Sequence, residues 1–382
     1  MDYFREKVSY VNHVRNREDA DVHMLLTTQT TGGGGSEYNM IFYGLKANEG
    51  RSDTITFNTE KTATSDDVRK KMVKYLHVGL LPYMKNDPMM ERFKISFEPI
   101  KKEKMVMPVD KWNKWVFTTR LSGNINGRQT SESERLSGSI SASRVTENWK
   151  IRMSMRMSKN NDRFDYGTIK IKSSEESNNV SGSVIKSLGK HFSAGVWGSV
   201  SSSSFSNMDQ SITLTPKVEF NYFPYSESNH RQMRVEYGIG LNDRNYTKET
   251  IYFKTKEQLM QQAARMSVSF VQPWGSADAN VYGSAYIHDS SKNQLSLFTS
   301  LNLRVFKGLS VNFYGSYSRI RDQLNLASGD DVPVEDVLLR RKELKSQYSY
   351  FSGISLSYTF GSKYNNVVNP RFGGGGRTFF IM

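Results

Sequence analysis

The chain has 382 residues, enough for one large and one small domain. Its formal net charge is +14, its mean hydropathy is −0.59 and it contains no cysteine. This composition excludes disulfides, thiolate metal sites and cysteine nucleophiles, and no apolar run reaches the roughly 18 residues typical of a transmembrane helix. A membrane-spanning β-barrel stays compatible with it, because half of each barrel strand faces water or polar side chains.

Residues 1–100 differ in pattern from the rest of the chain and predict a small α+β domain. The glycine run Gly32–Gly35 lies between two β-patterned runs and lacks the Lys-Ser/Thr of a phosphate-binding loop, so we interpret it as a hairpin turn. Thr64 and Ser65, followed by two aspartates, form an N-cap pattern for a second helix. The predicted order is helix 2–16, strands 20–30, 38–47 and 53–58, helix 66–86 and strand 93–99.

A charged connector over 101–112 leads into a long series of strand patterns. In one of them, Leu214 and Val218 fall on one face while Thr213 and Lys217 fall on the other. Because successive strand side chains point to opposite faces, each such segment has one apolar and one polar side. Twelve strands are predicted, over 114–126, 134–146, 149–159, 168–187, 190–204, 210–223, 231–243, 263–272, 278–288, 293–306, 308–321 and 348–361.

The connections between these strands alternate in length. Turns such as 307–308 are short, whereas loops such as 322–347 are long and charged. Outer-membrane barrels have short periplasmic turns and long outer loops, and an even number of strands returns both ends to one side. The pattern therefore predicts a twelve-stranded antiparallel transmembrane β-barrel at 113–361, with the 1–100 domain and the 362–382 tail in the periplasm.

The last strand resembles the terminal β-signal that the barrel-assembly machinery reads, through Gly353, Leu356, Tyr358 and Phe360. Phe351 departs from that pattern, since a polar residue is expected there. The stretches DADVHMLLTTQTTGGGG and YTFGSKYNNVVNPRFGGGG, and the chain as a whole, resemble uncharacterised outer-membrane β-barrel proteins of Bacteroidota-type bacteria. This resemblance implies the architecture and brings no activity or functional residue with it.

A set of charged residues falls on the polar side of the predicted strands. If the barrel is open, basic rings on its inner wall favour anions. If the barrel is narrow, the same charges pair with one another and fill it, and the sequence favours neither interpretation strongly. The candidate lumen-lining residues are Arg120, Arg152, Arg156, Lys217, Glu219, Arg234, Glu236, Arg265 and Arg304.

Three further features of the sequence are candidates for a functional or packing role. His288, with Ser290 and Asn293 nearby, invites comparison with barrel-wall lipid hydrolases, but Ser and Asn are also common turn residues. Short helices are predicted at 255–264 and 332–347, the second as a lid, a plug or a lipid contact. The final segment, 377–382, is a candidate edge strand for the N-terminal domain.

The sequence thus predicts a non-enzymatic outer-membrane protein without cofactor or metal, since its six histidines are scattered. The first hypothesis is a narrow, porin-like channel for small polar or anionic solutes, whose periplasmic domain contacts an envelope protein. The alternative is an occluded barrel that serves as an accessory subunit of an envelope complex, and a lipid hydrolase comes third. The expected partners are outer-membrane lipids, including lipopolysaccharide, and a periplasmic protein, with no nucleic acid.

Overall fold

The computed structural model describes residues 2–85, 88–93, 110–165, 167, 170–328, 347–364 and 371. Within these residues the fold is mainly β, with two α-helices and fifteen strands arranged in two sheets. Among the helices described there, none has the length and apolar character needed to cross a membrane.

The N-terminal domain packs two helices against a three-stranded antiparallel sheet of order β1-β2-β3. Its elements are α1 (Asp2–Lys7), β1 (Val22–Thr30), β2 (Ser36–Gly44), β3 (Ser52–Thr59) and α2 (Ser65–Leu80). Its buried core consists of Val8, Met40, Phe42, Phe57, Met72 and Leu76. The domain therefore has a hydrophobic core of its own.

Local sequence explains how α2 begins and how closely it packs. Thr64 and Asp67 form a capping box, in which each side chain hydrogen-bonds the backbone of the other residue. A Cβ at Gly79 would lie 2.1 Å from Cζ of Phe42, so the missing side chain allows the helix to approach β2. Gly34, at φ 79°, supplies the left-handed backbone of the β1–β2 turn, as expected for a hairpin.

Two predictions for this domain differ from the structure. The first helix ends at Lys7, so the predicted helix over 2–16 is wrong beyond that point. Val8 is fully buried in the core, and Val14 forms an extended β-bridge with Tyr364. The bridge to Tyr364 therefore outweighs the helical spacing of apolar residues in this segment. The predicted strand at 93–99 lies outside the described residues from position 94 onward.

The second sheet has twelve antiparallel strands, each paired with its neighbours in sequence. The strands are β4 (Trp115–Arg128), β5 (Ser131–Val145), β6 (Trp149–Asp165), β7 (Lys170–Ser187), β8 (Phe192–Ser203), β9 (Met208–Asn221), β10 (Arg231–Tyr246), β11 (Lys256–Gln272), β12 (Gly275–Tyr286), β13 (Asn293–Phe306), β14 (Leu309–Ile320) and β15 (Tyr348–Tyr358). The number and approximate positions of the predicted strands are confirmed.

The predicted helix at 255–264 is wrong, because β11 already begins at Lys256. Lys256 pairs with Asn245 and Leu259 with Asn242, so this stretch extends the ladder of β10. Cross-strand pairing therefore outweighs the helix-forming composition of KEQLMQQAAR. The predicted helix at 332–347 and the edge strand at 377–382 fall outside the described residues, except for Gln347.

The ends of the large sheet differ less in loop length than the sequence predicts. One end, called here the short-turn end, carries the connections from β5 to β6 and from β13 to β14. At the opposite end β4 and β5 are joined through 129–130 alone, because both strands extend further than predicted. Long connections at that end are 247–255 and 321–347.

The sheet order runs from β15 to β4, and no strand pairing described in the structure joins these two edge strands. The predicted antiparallel sheet of twelve strands is therefore confirmed, whereas the closed barrel is not observed. Each edge carries apolar side chains that are largely exposed, with Leu121 at 77% and Ile354 at 75% exposure.

Candidate functional site on the polar face of the large sheet

The strand register places the predicted polar residues on one face of the large sheet, called here the polar face. Arg120 pairs with Ser139, and Ser139 pairs with Arg156, so the three side chains share that face. Glu236 pairs with both Glu219 and Arg265. The register places all nine predicted residues there: Arg120, Arg152, Arg156, Lys217, Glu219, Arg234, Glu236, Arg265 and Arg304.

The opposite face is apolar and exposed along the whole strand series. Phe117 and Leu121 on β4 are 58% and 77% exposed, and Val218 on β9 is 56% exposed. Other exposed members of this face are Ile140, Met153, Val184, Val196, Leu214, Leu241, Met266, Leu297 and Leu356. An apolar surface of this extent marks a face that contacts lipid or protein.

One arginine of the polar face is paired. Arg234 Nε lies 3.2 Å from Glu236 Oε1 and 3.8 Å from Glu219 Oε2, and the three side chains are half-buried. Glu219 also accepts a hydrogen bond of 2.9 Å from the Tyr225 hydroxyl. The three charges form an ion-pair cluster of the kind that fills a narrow barrel, although Arg234 Nε has no hydrogen-bond partner among the described residues.

The other six basic residues are exposed, and within the described part of the chain no carboxylate lies within ion-pair distance of them. Lys217 lies 5.9 Å from the centre of the Trp197 ring, and Arg265 lies 5.4 Å from that of Tyr282. Cation–π contacts of this kind orient a basic group without neutralising its charge. The polar face therefore keeps six positive charges that no described carboxylate neutralises.

Between the charges, the polar face is lined by hydroxyl groups. Serine pairs on neighbouring strands hydrogen-bond to each other, at 2.8 Å for Ser122 and Ser137, 2.9 Å for Ser154 and Ser181, and 2.7 Å for Ser296 and Ser318. Such pairs satisfy each other and still offer lone pairs and rotatable protons to water or to a polar solute.

Sequence reasoning missed several charged residues of this face. Arg135, Lys150 and Arg244 share it by register, and so do the acids Glu257 and Asp278. Lys150 precedes Arg152 by two positions in the same strand. The period of two that placed Arg152 on the polar face could therefore have identified Lys150 as well. Arg244 and Glu257 lie where β10 and β11 extend beyond their predicted ends.

The N-terminal domain contacts the large sheet at its short-turn end. Lys61 Nζ donates a 2.5 Å hydrogen bond to the Thr118 hydroxyl on β4, and Lys307 Nζ lies 2.8 Å from Asp19 Oδ1. The Arg15 backbone N–H donates to the Lys363 carbonyl at 2.9 Å, beyond β15. These contacts join residues far apart in sequence, and no sequence pattern predicted them.

Two groups of the N-terminal domain have shifted pKa values. The hydrogen bond from Lys307 holds the pKa of the Asp19 carboxyl below its usual range. Burial lowers the pKa of His23 to about 4, and the positive charges of Arg17 and Arg304 add to that effect. His23 is therefore neutral near pH 7 and gains a charge only in acid.

At the other end of the sheet, segment 321–328 crosses from β14 to the loop after β10. The Ile251 N–H donates to the Leu326 carbonyl at 2.9 Å, and Asn207 Nδ2 donates to the Asn325 carbonyl at 3.1 Å. Leu324 is buried with Leu259 and Tyr286, two residues of the polar face. The segment therefore covers part of that face, which the sequence did not predict.

Neither a hydrolase geometry nor a metal site is present in the described residues. Asn293 Nδ2 donates to the backbone carbonyls of Ser290 and Ser291, as a turn residue does, and no hydrogen bond described there joins His288 to Ser290. In the same residues no group of three or more His, Asp or Glu side chains is arranged to hold a metal ion.

The chain has structural similarity to the NanC porin, with 9% sequence identity over 64% of this chain and 99% of the porin chain, at a TM-score of 0.29. It is also similar to the translocator domain of the autotransporter NalP from Neisseria meningitidis, with 12% identity over 64% of this chain and 82% of that one, at a TM-score of 0.20. Neither TM-score is high enough to carry an argument. No family model and no curated protein matches the sequence, so the Bacteroidota-type family stays a prediction.

Proposed function

We propose that the chain is an outer-membrane β-barrel protein and that small anionic solutes pass along its polar face. The observation that carries this proposal is the set of six exposed basic side chains without a carboxylate partner among the described residues. Filled barrels neutralise their interior charges, because an unpaired charge away from water is costly. Cations that stay exposed instead attract anions along the face.

The membrane setting is supported by the faces and lengths of the strands. Each strand of the large sheet has 11 to 18 residues, and a tilted membrane strand needs about 9–11. The apolar face supplies the lipid-contacting surface, while the polar face would enclose the passage once β4 and β15 meet. In this arrangement the short-turn end and the N-terminal domain lie in the periplasm.

The test is anion selectivity in planar bilayers, compared between two variants that each remove one positive charge. Arg156→Gln removes an unpaired cation of the polar face, whereas Lys186→Gln removes one on the opposite face, where Lys186 pairs with Trp149. We expect Arg156→Gln to lower the ratio of chloride to potassium permeability by at least one third. Lys186→Gln should leave it unchanged, and equal effects of the two variants would contradict the proposal.

A second candidate function is an occluded barrel that anchors an envelope partner. It is favoured by the coverage of the polar face at both ends, through the N-terminal domain and segment 321–328. In that case the protein conducts no ions under any voltage and its N-terminal domain retains an envelope protein in pull-downs. Conductance with a selectivity that responds to Arg156→Gln rejects this candidate.

A further inference from the structure

The contacts of the N-terminal domain reach positions on the polar face itself. Thr118, which accepts the hydrogen bond from Lys61, lies on that face because it pairs with Ser141. A Cβ at Gly32 would lie 3.0 Å from Cβ of Val145, which lies on the polar face of β5. The β1–β2 turn therefore rests on the inner side of the sheet, at its short-turn end.

The same domain also contacts the last strands of the series. Asp19 is ion-paired with Lys307 in the turn between β13 and β14, and Val14 forms a β-bridge with Tyr364 beyond β15. Since β4 and β15 are the two edges of the sheet that meet when the barrel closes, these contacts place the domain over their seam at the short-turn end.

These contacts are suited to being broken and made again. Lys307 and Asp19 keep side-chain exposures of 53% and 18%, and the Lys61–Thr118 hydrogen bond is exposed. Exposed polar contacts contribute little to stability and exchange readily with water. The domain has its own buried core around Phe42 and Met72, to which the large sheet contributes no residue.

We propose that the N-terminal domain is a plug, which rests against the polar face at its short-turn end, beside the seam of β4 and β15, and limits anion passage until it is displaced. This inference rests on the proposed function, since it concerns the regulation of the same passage. The plug belongs to the chain itself, and the contacts of Lys61, Asp19 and Gly32 hold it in the resting position.

The test is a disulfide between plug and sheet. The chain contains no cysteine, so Gly32→Cys with Val145→Cys creates a single pair. The Cβ separation of 3.0 Å is close to the roughly 3.5–4.5 Å of disulfides and calls for only a small shift. Val14→Cys with Tyr364→Cys is a second pair, at bridged backbone positions. The four single variants serve as controls.

In planar bilayers the oxidised full-length double variants should conduct at least tenfold less than the same proteins after reduction. The conductance of the single variants should not change on reduction. The release variant, Asp19→Asn combined with Lys61→Ala, should have a longer open time than the wild type. Conductance that is anion-selective yet identical in the locked and reduced states overturns the plug and leaves the proposed function intact. Absence of conductance in every variant, including the release variant, overturns both.

Discussion

Lys307 Nζ lies 2.8 Å from Asp19 Oδ1, and this ion pair joins the β13–β14 turn to the N-terminal domain across 288 positions of sequence. Asp19→Asn keeps the shape of the side chain and removes its charge. We expect faster hydrogen exchange in residues 17–24, because the domain loses one of its attachments to the sheet. Asp21→Asn is the matched control, since Asp21 pairs at 3.5 Å with Lys46 within the domain. Equal exchange in both variants would count against the docking role of Asp19.

Acid should loosen the N-terminal domain through His23. Its pKa is lowered from 6.5 to about 4, chiefly by burial, so the unfolded chain binds its proton more readily than the folded one. The neutral form stabilises the fold fully above pH 6.5, and this contribution is lost as the pH falls from 6.5 to about 4. Glu18 opposes the effect, whereas Arg17 and Arg304 reinforce it.

The measurement for this prediction is the thermal unfolding midpoint of the domain between pH 7 and pH 4, in wild type and in His23→Gln. The wild type should lose more stability over this range than the variant, which has no imidazole to protonate. Parallel curves for the two proteins would show that His23 does not titrate in this way.

Gly79 allows α2 to pack against β2, because a Cβ there would lie 2.1 Å from Cζ of Phe42. Gly79→Ala should destabilise the N-terminal domain by about 1–3 kcal/mol through overpacking, although alanine favours helices. Val78→Ala, at a neighbouring position that is 50% exposed, is the control and should change stability by less than about 0.5 kcal/mol. Thermal melts followed by circular dichroism decide between the two outcomes.

Arg234 and Arg156 should respond differently to the same substitution. Arg234→Gln leaves Glu219 and Glu236, which are cross-strand neighbours, without their shared cation, and should lower the temperature at which the sheet unfolds in detergent. Arg156 has no carboxylate partner among the described residues, so Arg156→Gln should alter selectivity and leave that temperature within experimental error. A stability loss of equal size in both variants would mean that Arg156 also belongs to a filling network.

Heat-modifiable migration tests the proposed barrel as a whole. A folded barrel of twelve strands should migrate differently on SDS gels before and after boiling, since its ladder persists in cold detergent. Unchanged migration, together with solubility in the absence of detergent, would contradict an outer-membrane location.

The architecture of the large sheet could be predicted because it follows from a local rule. Alternation in stretches such as 211–222 sets the face of each residue, and the register confirms those faces across β9 and β10. The start of β11 could not be predicted from that rule, since Lys256–Arg265 has the composition of a helix and becomes a strand only by pairing with β10.

The contacts that cover the polar face were beyond sequence reasoning for a different reason. Leu324 packs with Tyr286, and Lys61 hydrogen-bonds Thr118, but neither pair shares a local pattern. Such contacts depend on where a domain or a loop comes to rest after the strands have paired. The nine predicted charged residues share a face because of the period of two. Only the three-dimensional structure distinguishes the paired Arg234 from the unpaired cations.

The reversal potential of wild-type channels under a tenfold KCl gradient tests the central claim most directly. Six unpaired cations on the polar face predict chloride permeability above that of potassium, and therefore a reversal potential of the sign set by the chloride gradient. A potential of the opposite sign, or no current at all in the wild type and in the release variant, would contradict it.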